Sequence, residues 1–302
     1  MKKLIAGLAA LAAAAFALPA SATDVAITFD DLGAHSALPP GVTRVQVAAD
    51  IIAALKAAGA PQVYGFINAV QNEREPASAP VLDMWRKAGF PLANHTFTHM
   101  SLNQNPLADW QADFIKNEPE LQKHMAGADW RWVRFPFLHE GDTPQKRTQV
   151  REWLAGRNYK IASVTLDFSD WAYNETYARC MAKKDETAVA RMEAMWLKGA
   201  ADSLAYERAL SKAVFGREVP MVLLMHIGAF DARMMPRLLD LYRREGVRLA
   251  TLDEVERDPF YAADYKPAAT PAPLTFENAA KAKGVPVPLK TWSIAELETL
   301  CR

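Results

Sequence analysis

Apolar residues up to about position 252 come in short, mostly unbroken runs separated by stretches of helical spacing. The runs are Val25 to Phe29, Val63 to Ile67, Pro91 to Asn94, Trp132 to Phe135, Ile161 to Leu166, Met221 to Met225 and Arg248 to Leu252. Continuous rather than alternating hydrophobicity predicts strands covered on both faces, as in a parallel sheet. Between them, Val45, Ala48, Ile52 and Leu55 share one predicted helix face that stops at Gly59. Thr143 and Pro144 read as the N-cap and first residue of a helix ending at Gly156, and Met235, Leu238, Leu239 and Tyr242 repeat the stripe before Gly246. Strand–helix units in series predict a parallel α/β domain, barrel-like or open, with right-handed connections. In either form the chemistry gathers at the C-terminal ends of the strands, where the loops converge on one opening.

Both ends of the chain depart from this pattern. Lys2 and Lys3 precede the alanine-rich apolar stretch Leu4 to Leu18, and Ala20-Ser21-Ala22 follows as a small-residue cleavage signal. This predicts a secretory signal peptide over residues 1–22, cleaved near Ala22, and hence an exported protein, periplasmic or secreted. The apolar run is shorter than the ~20 residues of a spanning helix, so no stable membrane insertion is expected after cleavage. From Pro259 to Arg302 prolines are frequent, and Pro267 to Pro273 has no apolar period, which predicts an extended linker. A weak stripe of Ile294, Leu297 and Leu300 is expected to dock on the body. No repeat of fixed period is present.

Composition adds two constraints. With 302 residues, 50% of them hydrophobic and 23% charged, the chain can bury a large core as one large domain or two ordinary ones. The 35 basic and 35 acidic residues cancel, leaving no electrostatic footprint for nucleic acid. Export would place Cys180 and Cys301 in an oxidising compartment, where they either close a disulfide or stay two buried thiols; spacing alone does not decide, and a pair this far apart is no zinc motif.

Polar residues interrupt the apolar strands always at the same end. The first strand ends in Thr28-Phe29-Asp30-Asp31, adjacent carboxylates that repel unless a cation or proton separates them. Because side chains alternate, one can hold a metal while the other faces substrate. The third runs into His95-Thr96-Phe97-Thr98-His99; if that segment turns helically, both imidazoles share a face and hold one ion, and with an aspartate from a neighbouring strand they form a set suited to zinc. The fourth ends in Arg134-Phe135-Pro136-Phe137, the fifth leads to Asp170-Trp171, and the sixth carries Leu223-Leu224-Met225-His226. Taken singly each has an ordinary explanation as an ion pair, a helix cap or a core residue. Burying such groups together at one sheet edge without partners would be costly, so they are expected to face one another.

In this order, Thr28-Phe29-Asp30-Asp31, His95-Thr96-x-x-His99, Arg134-x-Pro136-Phe137, Asp170-Trp171 and Leu223-x-x-His226 resemble the five motifs of the polysaccharide deacetylases, carbohydrate esterase family 4, over roughly residues 24–256. The resemblance implies an α/β fold of NodB-homology type, a distorted (β/α)7 barrel. It divides the chain into a signal peptide at 1–22, a catalytic domain at 23–258 and a Pro/Ala-rich extension at 259–302 packing on that domain. It also implies a metal-dependent hydrolase of linear C–N amide bonds. Asp31, His95 and His99 would be the metal ligands, for one divalent cation, zinc before cobalt or nickel. Asp30 would be the general base, Arg134 its orienting partner, His226 the general acid and Asp170 the partner of His226. The backbone N–H of Phe137 would serve the oxyanion, and Trp171 and Leu223 would line a pocket for the acetyl methyl.

Two departures stand out: Phe137 occupies a position where many members have tyrosine, and Ala172 to Pro220 is long for a connection, predicting an added helical lid. His35 and His139 sit just after strands, where they could reach the opening as substrate contacts, but loop histidines are more often solvated and both are left outside the predicted site; His124 has only a helix-end position. Three functions follow. The first is N-deacetylation of an N-acetylglucosamine-containing polysaccharide or oligosaccharide. The second is hydrolysis of a small non-peptide amide or imide on the same metal site. The third is a non-enzymatic, exported carbohydrate-binding protein.

Overall fold

The computed structural model describes residues 22–302; the signal-peptide reading therefore lies outside the described residues, apart from Ala22. Among the described residues seven strands form one sheet: β1 (Thr23–Leu32), β2 (Tyr64–Ile67), β3 (Leu92–Asn94), β4 (Trp132–Val133), β5 (Lys160–Ile161), β6 (Met221–His226) and β7 (Val247–Leu249). The helices are α1 (Arg44–Ala57), α2 (Gln71–Arg74), α3 (Pro80–Lys87), α4 (Leu107–Lys116), α5 (Glu118–His124), α6 (Pro144–Gly156), α7 (Trp171–Lys183), α8 (Glu186–Phe215), α9 (Ala229–Arg244), α10 (Leu252–Glu256), α11 (Ala262–Tyr265) and α12 (Phe276–Ala282). Among the described residues no helix is long and apolar enough to cross a membrane.

Every strand pairing is parallel, in the order β5-β4-β3-β2-β1-β6, with β7 against the start of β1. The sheet curls until the chain after β5 meets β6: Leu166 bridges Leu223, and the N–H groups of Thr165 and Leu166 both donate to the Val222 carbonyl. This closure makes the fold the distorted (β/α)7 barrel that the motif resemblance implied. Its central strand β1 is buried nearly throughout, as its unbroken apolar run requires, with Val25 and Phe29 fully enclosed.

Local differences from the sequence reading have local causes. The predicted strand Ile161 to Leu166 keeps only its ends, because its middle bonds elsewhere: the Ala162 carbonyl accepts Arg134 Nε, and Thr165 Oγ1 pairs with the Tyr261 hydroxyl. The Arg248 to Leu252 run is split, since Thr251 caps α10 with a capping box closed by Glu254. On α1 the buried stripe is Val47, Ala48, Ile51 and Leu55, one step round from the predicted face, as α1 packs between α3 and α9. The Thr143 cap of α6 and the buried Met235, Leu238, Leu239 and Tyr242 face of α9 match the reading.

The long Ala172 to Pro220 connection is wall rather than lid. It completes α7 and forms α8, which buries Met192, Trp196, Leu204 and Leu210 against α7, α9 and α12. Pro267 to Pro273 holds neither helix nor strand, but it lies against the body rather than hanging free, its Ala268 and Pro271 carbonyls accepting from Arg151 and Arg147, so the C-terminal stretch is a packed extension. It runs over the body as a strap of short helices, anchored by buried Tyr261, Phe276, Ala280 and Leu297. Arg151, fully buried on α6, fastens the strap to the barrel: its Nη2 reaches Glu140 (2.9 Å) and Asp264 (2.7 Å), and its Nη1 donates to the Ala263 carbonyl. The strap ends in a disulfide between Cys180 on α7 and Cys301, so the pair left open by spacing is bonded.

Candidate active site

Asp30 and Asp31 end β1, where a regular strand would send their side chains to opposite faces. Asp31 instead adopts a left-handed φ of 55° and the β1–β2 register slips between Phe29 and Leu32. The twist brings both carboxylates to one place: His95 Nε2 lies 3.6 Å from Asp30 Oδ2 and 3.7 Å from Asp31 Oδ1. A non-glycine residue in this region costs on the order of 1–3 kcal/mol, and such strain concentrates where structure around it over-determines the position. Thr96, His99, Phe137, Leu138 and Ser169, all in the loops that build the site, share positive φ.

The segment after β3 is an irregular loop rather than the helical turn expected for a His-x-x-x-His pair. Two left-handed residues, Thr96 and His99, fold it back so that the two imidazoles approach with centroids 4.9 Å apart. Buried amides hold this shape: Asn68 Nδ2 donates to the His95 and Thr96 carbonyls, and Asn94 Oδ1 accepts the Thr96 N–H at 2.8 Å. Thr98 is tied by its N–H and hydroxyl to the Asp113 carboxylate.

Asp31, His95 and His99 each offer one ligand atom, all within 4.8 Å of one another. Asp31 Oδ1 stands 3.5 Å from His99 Nε2 and 3.7 Å from His95 Nε2. Tetrahedral zinc with bonds of about 2.0–2.2 Å places its ligand atoms roughly 3.4 Å apart, which the two Asp31-to-histidine spacings match. His95 Nδ1 donates to the Arg134 carbonyl at 2.7 Å, fixing the tautomer that leaves Nε2 with a free lone pair toward the site. Burial pushes both imidazoles down to about 4, His99 further opposed by the neighbouring His95, so both are neutral near pH 7 as ligands require. Burial alone would raise Asp31, but the hydrogen bond from His35 and the nearby His99 and His95 hold its carboxyl well below the usual range.

The second carboxylate is in a different setting. Burial pushes Asp30 up to about 6, against the pull of Arg134. Arg134, itself 1% exposed, aims Nη1 at Asp30 Oδ1 (3.2 Å) and Nη2 at Thr28 Oγ1 (3.1 Å). Across the sheet the Cα of Asp30 pairs with that of His226. Asp170, fully buried, accepts from His226 Nδ1 at 3.1 Å and from the His226 backbone N–H at 2.6 Å. Burial would lower His226, but the Asp170 charge and hydrogen bond, with Asp31 and Asp30 beyond, raise it to about 10. Two neighbouring groups thus sit with their protonation set in opposite senses, an ionisable carboxylate near neutrality and an imidazolium, the pattern of a base and acid pair.

The remaining predicted residues fall as follows. Phe137 packs edge-on over His99 with centroids 4.4 Å apart, 58% exposed, and among the described residues its backbone N–H has no hydrogen-bond partner. Trp171 begins α7 and is 46% exposed. Leu223 needs correction. It pairs with Ile27, three residues and so an odd step from the Asp30–His226 pair, and the pleat turns it to the opposite face; Leu224, opposite Thr28 and two residues from His226, shares their face. His35, set aside in the sequence reading, is in the site: Nδ1 meets Asp31 Oδ2 at 2.9 Å and its ring lies 4.7 Å from that of His226. Its place four residues after Asp31 was the available signal, but only the folded loop shows that its ring turns back onto the Asp31 carboxylate. His139 stands behind Phe137, bonded to Ser101, and His124 lies apart between Asp83 and Glu120.

The polysaccharide deacetylase family model matches residues 18–152, which include the motifs at Asp30-Asp31, His95-His99 and Arg134-Phe137. No curated protein sequence matches. Among solved structures, the chitin deacetylase of the fungal pathogen Colletotrichum lindemuthianum aligns with a TM-score of 0.52 at 17% identity, covering 78% of this chain and 88% of that one. A peptidoglycan N-acetylglucosamine deacetylase aligns at 0.50 and 18% identity, over 78% and 89%. A family 4 carbohydrate esterase pseudoenzyme from Bacillus anthracis aligns at 0.51 and 12% identity, over 78% and 66%. At these identities the likeness speaks for the fold, and since the fold also carries a pseudoenzyme, activity has to be argued from the side chains.

Proposed function

For a chain that matches the polysaccharide deacetylases in sequence and fold, we propose a metal-dependent N-deacetylase that hydrolyses the acetamide of an N-acetylglucosamine-containing polysaccharide or oligosaccharide. One observation carries this reading: an Asp-His-His ligand set with a separately oriented carboxylate on one side and a carboxylate-paired imidazole next to it. A divalent cation held by Asp31, His95 and His99 would polarise the amide carbonyl and ease deprotonation of an attacking water.

The rest of the step belongs to the protein. Asp30, ionised above about pH 6, takes a proton from the water as its oxygen bonds to the acetyl carbon. Arg134 holds the base in place beside the ligand set through Nη1. The Phe137 N–H donates to the carbonyl oxygen as it gains charge, a contribution of about 3 kcal/mol for one well-placed donor. When the C–N bond breaks, the departing nitrogen takes a proton from the His226 imidazolium, and Asp170 keeps that ring oriented and charged. Leu224 and Trp171 would bound the acetyl methyl.

Exposed aromatic rings beside the site favour a glycan over a small amide. Phe137 and Trp171 stand exposed beside it, and flat aromatic faces in water are the surfaces on which sugar rings stack. The test is acetate release from N-acetylated chitin and peptidoglycan oligosaccharides by the mature protein, with zinc removed and restored. Release that stops with chelator and returns with zinc or cobalt is expected. Hydrolysis of small cyclic imides with no acetate from any glycan would move the assignment to the second reading, and glycan binding without turnover to the third.

A further inference from the structure

Asp31 has two oxygens, and only one of them faces the histidines. Oδ1 is 3.5 Å from His99 Nε2 and 3.7 Å from His95 Nε2, whereas Oδ2 is taken at 2.9 Å by His35 Nδ1. A free carboxylate at the end of a strained residue could rotate, swap oxygens or chelate through both. His35 removes those alternatives. We infer that His35 is a positioning residue for the ligand set: its Nδ1–H holds Asp31 Oδ2 so that Oδ1 alone is presented to a divalent cation as the third ligand.

The loop that carries His35 is itself built for this. Arg44, at the start of α1, donates from Nη1 to the His35 carbonyl (2.7 Å) and from Nη2 to the Ser36 carbonyl (2.6 Å), and Glu75 holds the same guanidinium at 3.0 Å. On the other flank the Ala37 N–H donates to Glu175 of α7 at 3.2 Å. The imidazole is packed against the His226 ring and faces the Trp171 carbonyl. His35 is thus held at both backbone and ring, and an outer partner of this kind typically changes metal affinity 10- to 100-fold when removed.

This inference rests on the metal reading of the site and is tested by metal binding rather than turnover. Zinc affinity of the chelator-stripped mature protein would be measured by competition with a chromophoric chelator for wild type, His35→Ala, His35→Phe and His35→Asn, with thermal melts of each metal-free protein. Phenylalanine keeps a ring beside His226 without the donor; asparagine places an amide N–H near the position of Nδ1. The expected result is a 10- to 100-fold weaker affinity for His35→Ala and His35→Phe, affinity recovered to within about fivefold in His35→Asn, and similar melts. Wild-type affinity in His35→Phe, or a loss in His35→Asn as large as in His35→Ala, would overturn it. Wild-type protein that binds zinc yet releases no acetate would reject the deacetylase reading and leave the role of His35 standing.

Discussion

Replacing Asp170 by Asn separates charge from shape at the proposed acid. The side chain is fully buried and its two oxygens accept from His226 Nδ1 and from the His226 backbone N–H; asparagine keeps the volume and one acceptor but loses the charge. With charge centres roughly 4 Å apart and an effective dielectric near 20, the lost attraction is about 4 kcal/mol, or about 3 pKa units. His226, raised to about 10 with Asp170 in place, should then titrate near 7 in the metal-free variant. The sign follows from linkage: a raised imidazole contributes stability that is fully present below its unfolded value near 6.5 and lost as pH rises through about 10. The variant should therefore lose most of that contribution, and its stability between pH 7 and 10 should be flatter than that of wild type. Histidine ring resonances followed by NMR across pH 5 to 11, with chemical denaturation at pH 6, 8 and 10, read both effects. A His226 that moves by less than one unit would refute the claim that Asp170 dominates its protonation.

Other consequences are more direct. Asp30→Asn should lower acetate release by on the order of 10²–10⁴-fold while zinc affinity stays within about threefold, since Asp30 lies outside the proposed ligand set; unchanged release would reject the base assignment. Leu224→Ala should enlarge the acyl pocket and raise propionyl over acetyl preference by about tenfold, whereas Leu223→Ala should cost about 2–4 kcal/mol of stability with acyl preference unaltered. The reverse pattern would return Leu223 to the pocket. Cys301→Ser opens a loop of sequence separation 121 and should lower unfolding free energy by about 2–4 kcal/mol, an effect matched in wild type by adding reductant; equal stability with and without reductant would sink it.

Local patterning was enough for much of this protein. Unbroken apolar runs announced the buried parallel strands, the Thr143 cap and the α9 stripe were readable from nearest neighbours, and the polar residues closing each strand marked the edge where those side chains gather, because burial and capping are decided within a few residues. What depended on irregular backbone or on pairing with distant segments came only from the folded chain. The left-handed turn at Asp31, which aims two adjacent carboxylates into one site, is imposed by the loops around it. The choice of Leu224 over Leu223 depends on pleat phase against β1. His35 reaches Asp31 through a loop tied down by Arg44 and Glu75, and Cys180 meets Cys301 only after the strap has crossed the barrel. Contacts between residues far apart in sequence depend on the whole packed structure, and no periodicity encodes them.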